Sequence, residues 1–140
     1  MDRTLRFRRY LFAAAITLAA FSFAIGQDLI KSEANGTISA NEMNAMIAKA
    51  FADGSVSQTS TAVELQKVTY TSIDVNNKKV NLTGLVAWPV GGAPKGMVVY
   101  CHGTTVDRDR SPSRYKGKGE APETVEAIAA YASGGYAVVM

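Results

Sequence analysis

The sequence predicts an α/β fold in which an antiparallel hairpin feeds a strand–helix–strand parallel crossover. Three observations carry this. Residues 65–75 and 80–88 alternate apolar and polar side chains around Asn76-Asn77-Lys78, the pattern of two strands joined by a tight turn. Gly96-Met97-Val98-Val99-Tyr100-Cys101-His102-Gly103-Thr104-Thr105 is a short apolar run that stops at His-Gly. Such a run reads as a strand buried on both faces, as in parallel sheets. An apolar stripe after Pro122 then leads through Ser133-Gly134-Gly135 into a second apolar run at 136–140. A helix linking two buried strands implies a right-handed parallel crossover. Open sheets of this class place ligand sites beyond the carboxyl ends of their strands, which directs attention to His102–Thr105.

The chain has 140 residues with one Cys and one His, which suits one domain. Its formal charge is +3, from 15 Lys and Arg against 12 Asp and Glu. Arg3, Arg6, Arg8, Arg9 and Asp2 all fall in residues 1–26, so the remainder carries eleven charges of each sign. The basic balance is therefore no argument for a nucleic-acid partner. Residues 1–26 read as a signal peptide: a cationic start, an apolar run at 11–25 broken only by Thr17 and Ser22, and Ala24-Ile25-Gly26 before an expected cleavage at Gln27. The other reading is an uncleaved anchor, but the run falls short of the ~20 residues a spanning helix needs. The expected location is thus secreted or periplasmic, with no stable membrane span after cleavage. No Cys follows the apolar run, which argues against a lipid anchor, and the lone Cys101 has no partner for an internal disulfide.

Residues 27–36 are polar and are expected to be loose. Ser39-Ala40-Asn41-Glu42 matches a capping box. Met43, Met46, Ile47, Ala50 and Phe51 then form one apolar helix face, ended by Asp53-Gly54. That face is either an edge helix packed on the domain or a Met-rich lid or partner surface. Residues 55–62 form a Ser/Thr-rich linker, so 27–62 reads as an amino-terminal helix and linker ahead of the sheet at 63–140. In the second hairpin strand Val80, Leu82, Gly84 and Val86 share one face, Leu85 and Ala87 the other, and Pro89 ends it. The hairpin is expected at the sheet edge. Residues 104–121 form a long polar loop carrying Arg108, Arg110, Arg114, Lys116 and Lys118, which is either a solvated surface or a basic rim for an anionic or polar substrate. Pro122 suits the first turn of a helix and Glu123 its positive end. Val125, Ile128, Ala129 and Ala132 supply the stripe. There is no metal-ligand cluster and no phosphate-cradling Gly-rich loop.

From about Leu65 to Met140 the pattern resembles the amino-terminal part of a secreted bacterial α/β-hydrolase of the lipase/esterase group, related to prolyl-oligopeptidase-like hydrolases. The hairpin, the Gly-Met-Val-Val-Tyr-Cys-His-Gly strand, the loop with Thr104-Thr105 and Ser111-Pro112-Ser113, and the helix ending in Ala-Ser-Gly-Gly-Tyr-Ala-Val-Val carry the resemblance. It implies an incomplete α/β-hydrolase sheet, a small-molecule ester substrate for the complete protein, and no cofactor or metal. It also implies that Gly103 and Thr104 form part of an oxyanion hole, with the Thr104 N–H as donor and Thr105 as the neighbour that could replace it. Losing one such donor costs roughly 3–4 kcal/mol of transition-state stabilisation. Gly103 would permit the turn that aims the N–H inward. The family's His in His-Gly holds the loop by hydrogen bonds, so His102 is expected to be structural at the site rather than catalytic. Cys101 is expected to be buried in the sheet, since a thiol nucleophile needs a base-paired, partly exposed position.

An esterase of this family needs Gly-x-Ser-x-Gly on a strand-to-helix elbow, then Asp or Glu, then His. The sequence contains no Gly-x-Ser-x-Gly and no His after His102. No catalytic nucleophile, acid or base is therefore expected within these residues. The expectation is an amino-terminal portion of such an enzyme, truncated before the nucleophile elbow and inactive alone. Two rivals stand beside it: a peptidase of prolyl-oligopeptidase type, and a small non-catalytic exported binding protein using the Met43/Met46/Phe51 face or the Arg-rich loop.

Overall fold

The computed structural model describes residues 28–104, 107–119 and 121–140. The expected signal segment, 1–26, lies outside them, as does Thr105. Five strands make one mixed sheet: β1 (Leu29–Ile38), β2 (Val63–Ile73), β3 (Lys79–Pro89), β4 (Met97–Val99) and β5 (Ala137–Val139). Their order is β1-β2-β3-β5-β4. The pairs β1–β2, β2–β3 and β3–β5 are antiparallel and β4–β5 is parallel. The α/β class, the hairpin and the parallel crossover are all present.

The hairpin forms where its alternation and turn place it. Asn77 takes φ 59° in the turn, a left-handed conformation that Asn tolerates. The Asp74 carboxylate accepts the Asn76 and Lys78 N–H groups at 2.8 and 2.9 Å and stays below the usual carboxylate range because of those backbone donors. Helix α1 (Ala40–Ala50) starts at the expected capping box. The Ser39 Oγ accepts the Glu42 N–H at 3.3 Å and the Ser39 N–H donates to Glu42 Oε2 at 2.9 Å. Helix α2 (Pro122–Ala127) begins at Pro122 and widens into a π-type turn over Ile128–Ala132.

Both helices cover one face of the sheet. Val63 and Leu65 of β2, Leu85 and Ala87 of β3 and Val138 of β5 bury there against Ile38, Met43, Ile47 and Ile128. Met46 and Phe51 pack partly buried against the same core, so the apolar face of α1 is consumed by packing rather than presented to a partner. The 55–62 segment is tied down: Asn44 and Thr59 exchange side-chain and backbone hydrogen bonds at 2.8 and 3.0 Å, and Thr59 Oγ1 donates to the Ser133 carbonyl at 2.9 Å.

Four expectations are corrected. Residues 27–36 were expected to be loose, but from Leu29 onward they belong to β1, which runs on to Ile38. Apart from the half-buried Asn35 their side chains are exposed up to Ile38, so no burial periodicity marks them; backbone pairing with β2 holds them instead. The hairpin does not lie at the sheet edge, because β1 pairs outside it and β5 pairs with β3. The strand at 97–99 is not buried on both faces: β4 is the end strand of the order, and Met97 and Val99 are 65% and 68% exposed. Cys101 is exposed rather than buried, because β4 ends at Val99 and the sheet face beside Cys101 carries no helix among the described residues.

Candidate active site

The apolar run ends in the structure as it does in the sequence. Beyond Val99 the chain leaves the ladder after one more bond, Tyr100 N–H to the Val139 carbonyl at 2.8 Å. His102, Gly103 and Thr104 then line a cavity of about 210 Å³ together with Arg110, Pro112, Ala121, Pro122, Glu123 and Thr124. Three chain segments build it: the carboxyl end of β4, the 3-10 turns Arg108–Arg110 and Pro112–Arg114, and the start of α2. All three residues picked out from the sequence therefore share one cavity.

Glu123 is the residue that sequence reasoning missed as part of this site. The Gly103 N–H donates to its Oε2 at 2.8 Å. The contact spans twenty residues, and the only local signal was an acidic side chain in the first turn of a helix. It decides which donor is available. The Gly103 N–H is engaged, whereas the Thr104 N–H makes no hydrogen bond with a described residue. His102 Nδ1 lies 2.7 Å from the Gly103 carbonyl oxygen; an oxygen acceptor there requires the tautomer protonated at Nδ1. His102 is exposed, and its contact is to the backbone of the turn, not to another titratable side chain. Gly103 does not take a left-handed conformation. Its lack of a side chain matters for another reason: a Cβ there would lie 3.1 Å from Glu123 Oε1.

The polar loop is ordered by its own charges. The Asp107 side chain accepts the Asp109 N–H at 2.9 Å, Arg110 pairs with Asp107 at 3.6 Å, and Arg114 pairs with Asp109 at 2.9 Å. Arg110 thereby reaches the cavity wall while Arg108 and Arg114 do not. Among the described residues no group of three or more His, Cys, Asp or Glu could hold a metal ion, and no helix is long and apolar enough to cross a membrane.

A hairpin leading into a parallel crossover, with a Gly-bearing turn at the end of the crossover's first strand, defines a partial α/β-hydrolase-like fold. No family model and no curated protein sequence matches the chain. Among solved structures it is similar to a protein of Legionella pneumophila described as a hydrolase, with a TM-score of 0.63 at 24% identity over 79% of this chain and 29% of that one. It is also similar to the rice cell wall degrading esterase LipA of Xanthomonas oryzae in a ligand-bound form, with a TM-score of 0.57 at 22% identity over 79% of this chain and 28% of that one. At these identities the likeness is one of fold. The chain spans less than a third of the length of either protein.

Proposed function

We propose that this chain is the amino-terminal portion of an exported serine hydrolase acting on carboxylic esters, lipid esters among them. The observation that carries the reading is the turn after β4. There the Gly103 N–H is held by Glu123, the Thr104 N–H makes no hydrogen bond with a described residue, and both residues line one cavity. In this reading a serine attacks the ester carbonyl, and the oxygen that becomes negative is met by the Thr104 N–H and by a second N–H from the residue after the nucleophile. His102 holds the turn through the Gly103 carbonyl. The nucleophile, acid and base come from chain beyond these 140 residues. The sheet face that no described helix covers and the small share of the solved structures that is matched support that part of the reading. Likeness to an esterase favours ester over peptide bonds as the substrate.

The test is turnover of p-nitrophenyl butyrate by the purified chain. None is expected, and turnover abolished by a serine-directed fluorophosphonate would overturn the claim that the chain is inactive alone. Reading the codons after Met140 tests the parent activity: an in-frame Gly-x-Ser-x-Gly is expected, and a stop codon followed by a stable, soluble monomer would favour a non-catalytic binding protein. Export is tested by fusing residues 1–26 to alkaline phosphatase, with active enzyme outside the cytoplasm as the expected result.

A further inference from the structure

The turns at 108–114 have two sides. Arg110 and Pro112 face the cavity already described, while Arg108, Ser111, Ser113 and Arg114 face a second one of about 600 Å³. Asn35 of β1, Lys67 of β2, Thr83 of β3 and Lys116 complete its lining. Two chain segments, β2 and the 108–116 stretch, thus bring four cations to one concave surface that β1 and β3 also line.

Its framework is bonded in place. Thr83 Oγ1 donates to Ser113 Oγ at 3.0 Å, which ties the turn to β3, and Ser111 Oγ donates to the Arg108 carbonyl at 2.8 Å, which closes the turn on itself. The Asn35 side-chain amide donates to the Tyr115 carbonyl at 2.6 Å. Gly36 lets the Lys116 carbonyl approach to where a Cβ would stand 2.6 Å away. The backbone that carries the cations is held this way, so less of it has to be ordered on binding.

Its positive charge exceeds that of the carboxylates beside it. Asp109 is engaged by Arg114, and Glu33, which faces Lys67 in the β1–β2 register, is engaged by Lys31 at 2.8 Å. Among the described residues Lys67, Arg108 and Lys116 have no carboxylate within 4.0 Å. Like charges gathered around one cavity repel, and a bound anion relieves that repulsion through charge-assisted hydrogen bonds. We propose that this cavity is a binding site for a small oxyanion ligand carrying two or more negative charges, distinct from the site at Gly103-Thr104. The spread of three cations without an ion-pair partner within 4.0 Å across a space this large favours a multivalent ligand over a single monovalent anion.

The experiment is calorimetric titration of the chain with pyrophosphate at low ionic strength. Saturable 1:1 binding is expected, weakening as salt is raised. The double variant Lys67→Gln/Arg108→Gln should weaken it by about tenfold or more, from the loss of two charge-assisted contacts. Lys49→Gln, which removes the same kind of charge from the exposed side of α1, should change it less than about twofold. Citrate in place of pyrophosphate separates the sources: equal affinity assigns the site to multivalent anions in general, and weaker binding assigns it to phosphates. If the double variant does not fold by circular dichroism, Arg108→Gln alone serves, since Arg108 is exposed on its turn. Amide shifts of Ser111 and Ser113 on titrating the unsubstituted chain give an independent reading. No saturation at millimolar pyrophosphate, an equal loss in Lys49→Gln, or the absence of those amide shifts would overturn the proposal.

Discussion

Gly103, Thr104 and Glu123 show how little of a site lies in side-chain identity. Glu123 takes the Gly103 N–H, so the next N–H in the chain is the one left for a ligand. If the proposed reading holds and that group is the oxyanion donor of a longer hydrolase, Thr104→Ala there should leave kcat nearly unchanged, because it keeps the N–H. Thr104→Pro removes the N–H and should lower kcat about 10²–10³-fold with a smaller effect on KM; steady-state kinetics on a p-nitrophenyl ester reads both. Equal effects would assign the role to the hydroxyl or to the fold. At the other end of the chain, Ser39→Ala removes the acceptor that caps α1 and should cost about 1 kcal/mol in urea unfolding. The Glu42 carboxylate sits below its usual range, first because of the Ser39 backbone N–H. Its share of stability is therefore present at neutral pH and fades as pH falls through the acid range. Ser39 and Glu42 were legible because a capping box is a local pattern. Glu123 was not, because its partner is twenty residues away.

Among the elements, the contrast between β1 and β3 explains which strands a sequence reveals. β3 buries Leu85 and Ala87 on one face and leaves Leu82 and Trp88 on the other, so alternation announces it. β1 buries only Ile38, and the information that makes it a strand resides in the edge of β2. Gly36 joins β1 to the loop. Its φ of 143° and the 2.6 Å approach of the Lys116 carbonyl to a would-be Cβ leave no room for a side chain. Gly36→Ala is expected to destabilise the chain by about 1–3 kcal/mol, measured by urea unfolding. It should also loosen the cationic cavity, so pyrophosphate affinity should fall with it.

The described residues form one sheet with helices on one face and none on the other. Leu82 is 42% exposed and Trp88 40%, on the side opposite the core, and Val68, Tyr70, Val86, Val99 and Val139 line the same open surface. An apolar surface of that kind is a docking or aggregation surface. The chain alone should therefore enhance the fluorescence of an apolar dye such as ANS, and Leu82→Lys with Trp88→Lys should reduce the signal without loss of helical circular dichroism. An unchanged signal would locate the dye elsewhere. On the helix-covered face, the Tyr115 hydroxyl is buried with no hydrogen-bond partner among the described residues. Burial first, and Glu42 second, raise the phenol above its ordinary value of 10.0. The unfolded chain gives up that proton sooner, so this contribution to stability is full below pH 10 and declines as pH rises above it. Urea midpoints measured from pH 8 to 11 should fall over that upper range, and Tyr115→Phe should flatten the fall.

What can be read along the chain is what is local. Periodicity determined β2, β3 and the faces of β3; the capping box determined the start of α1; Pro122 determined the start of α2; and the run ending in His-Gly determined where the candidate site would be. Each is written within about one turn or one pleat of chain, where sterics and side-chain spacing act directly. Long-range pairing makes β1 a strand, sets β4 at the end of the sheet, brings Glu123 to Gly103 and gathers Lys67, Arg108 and Lys116 around one cavity. Those arrangements depend on which distant backbone edge or charge is brought alongside. A pattern read along one dimension carries no distance between residues that the fold alone makes neighbours.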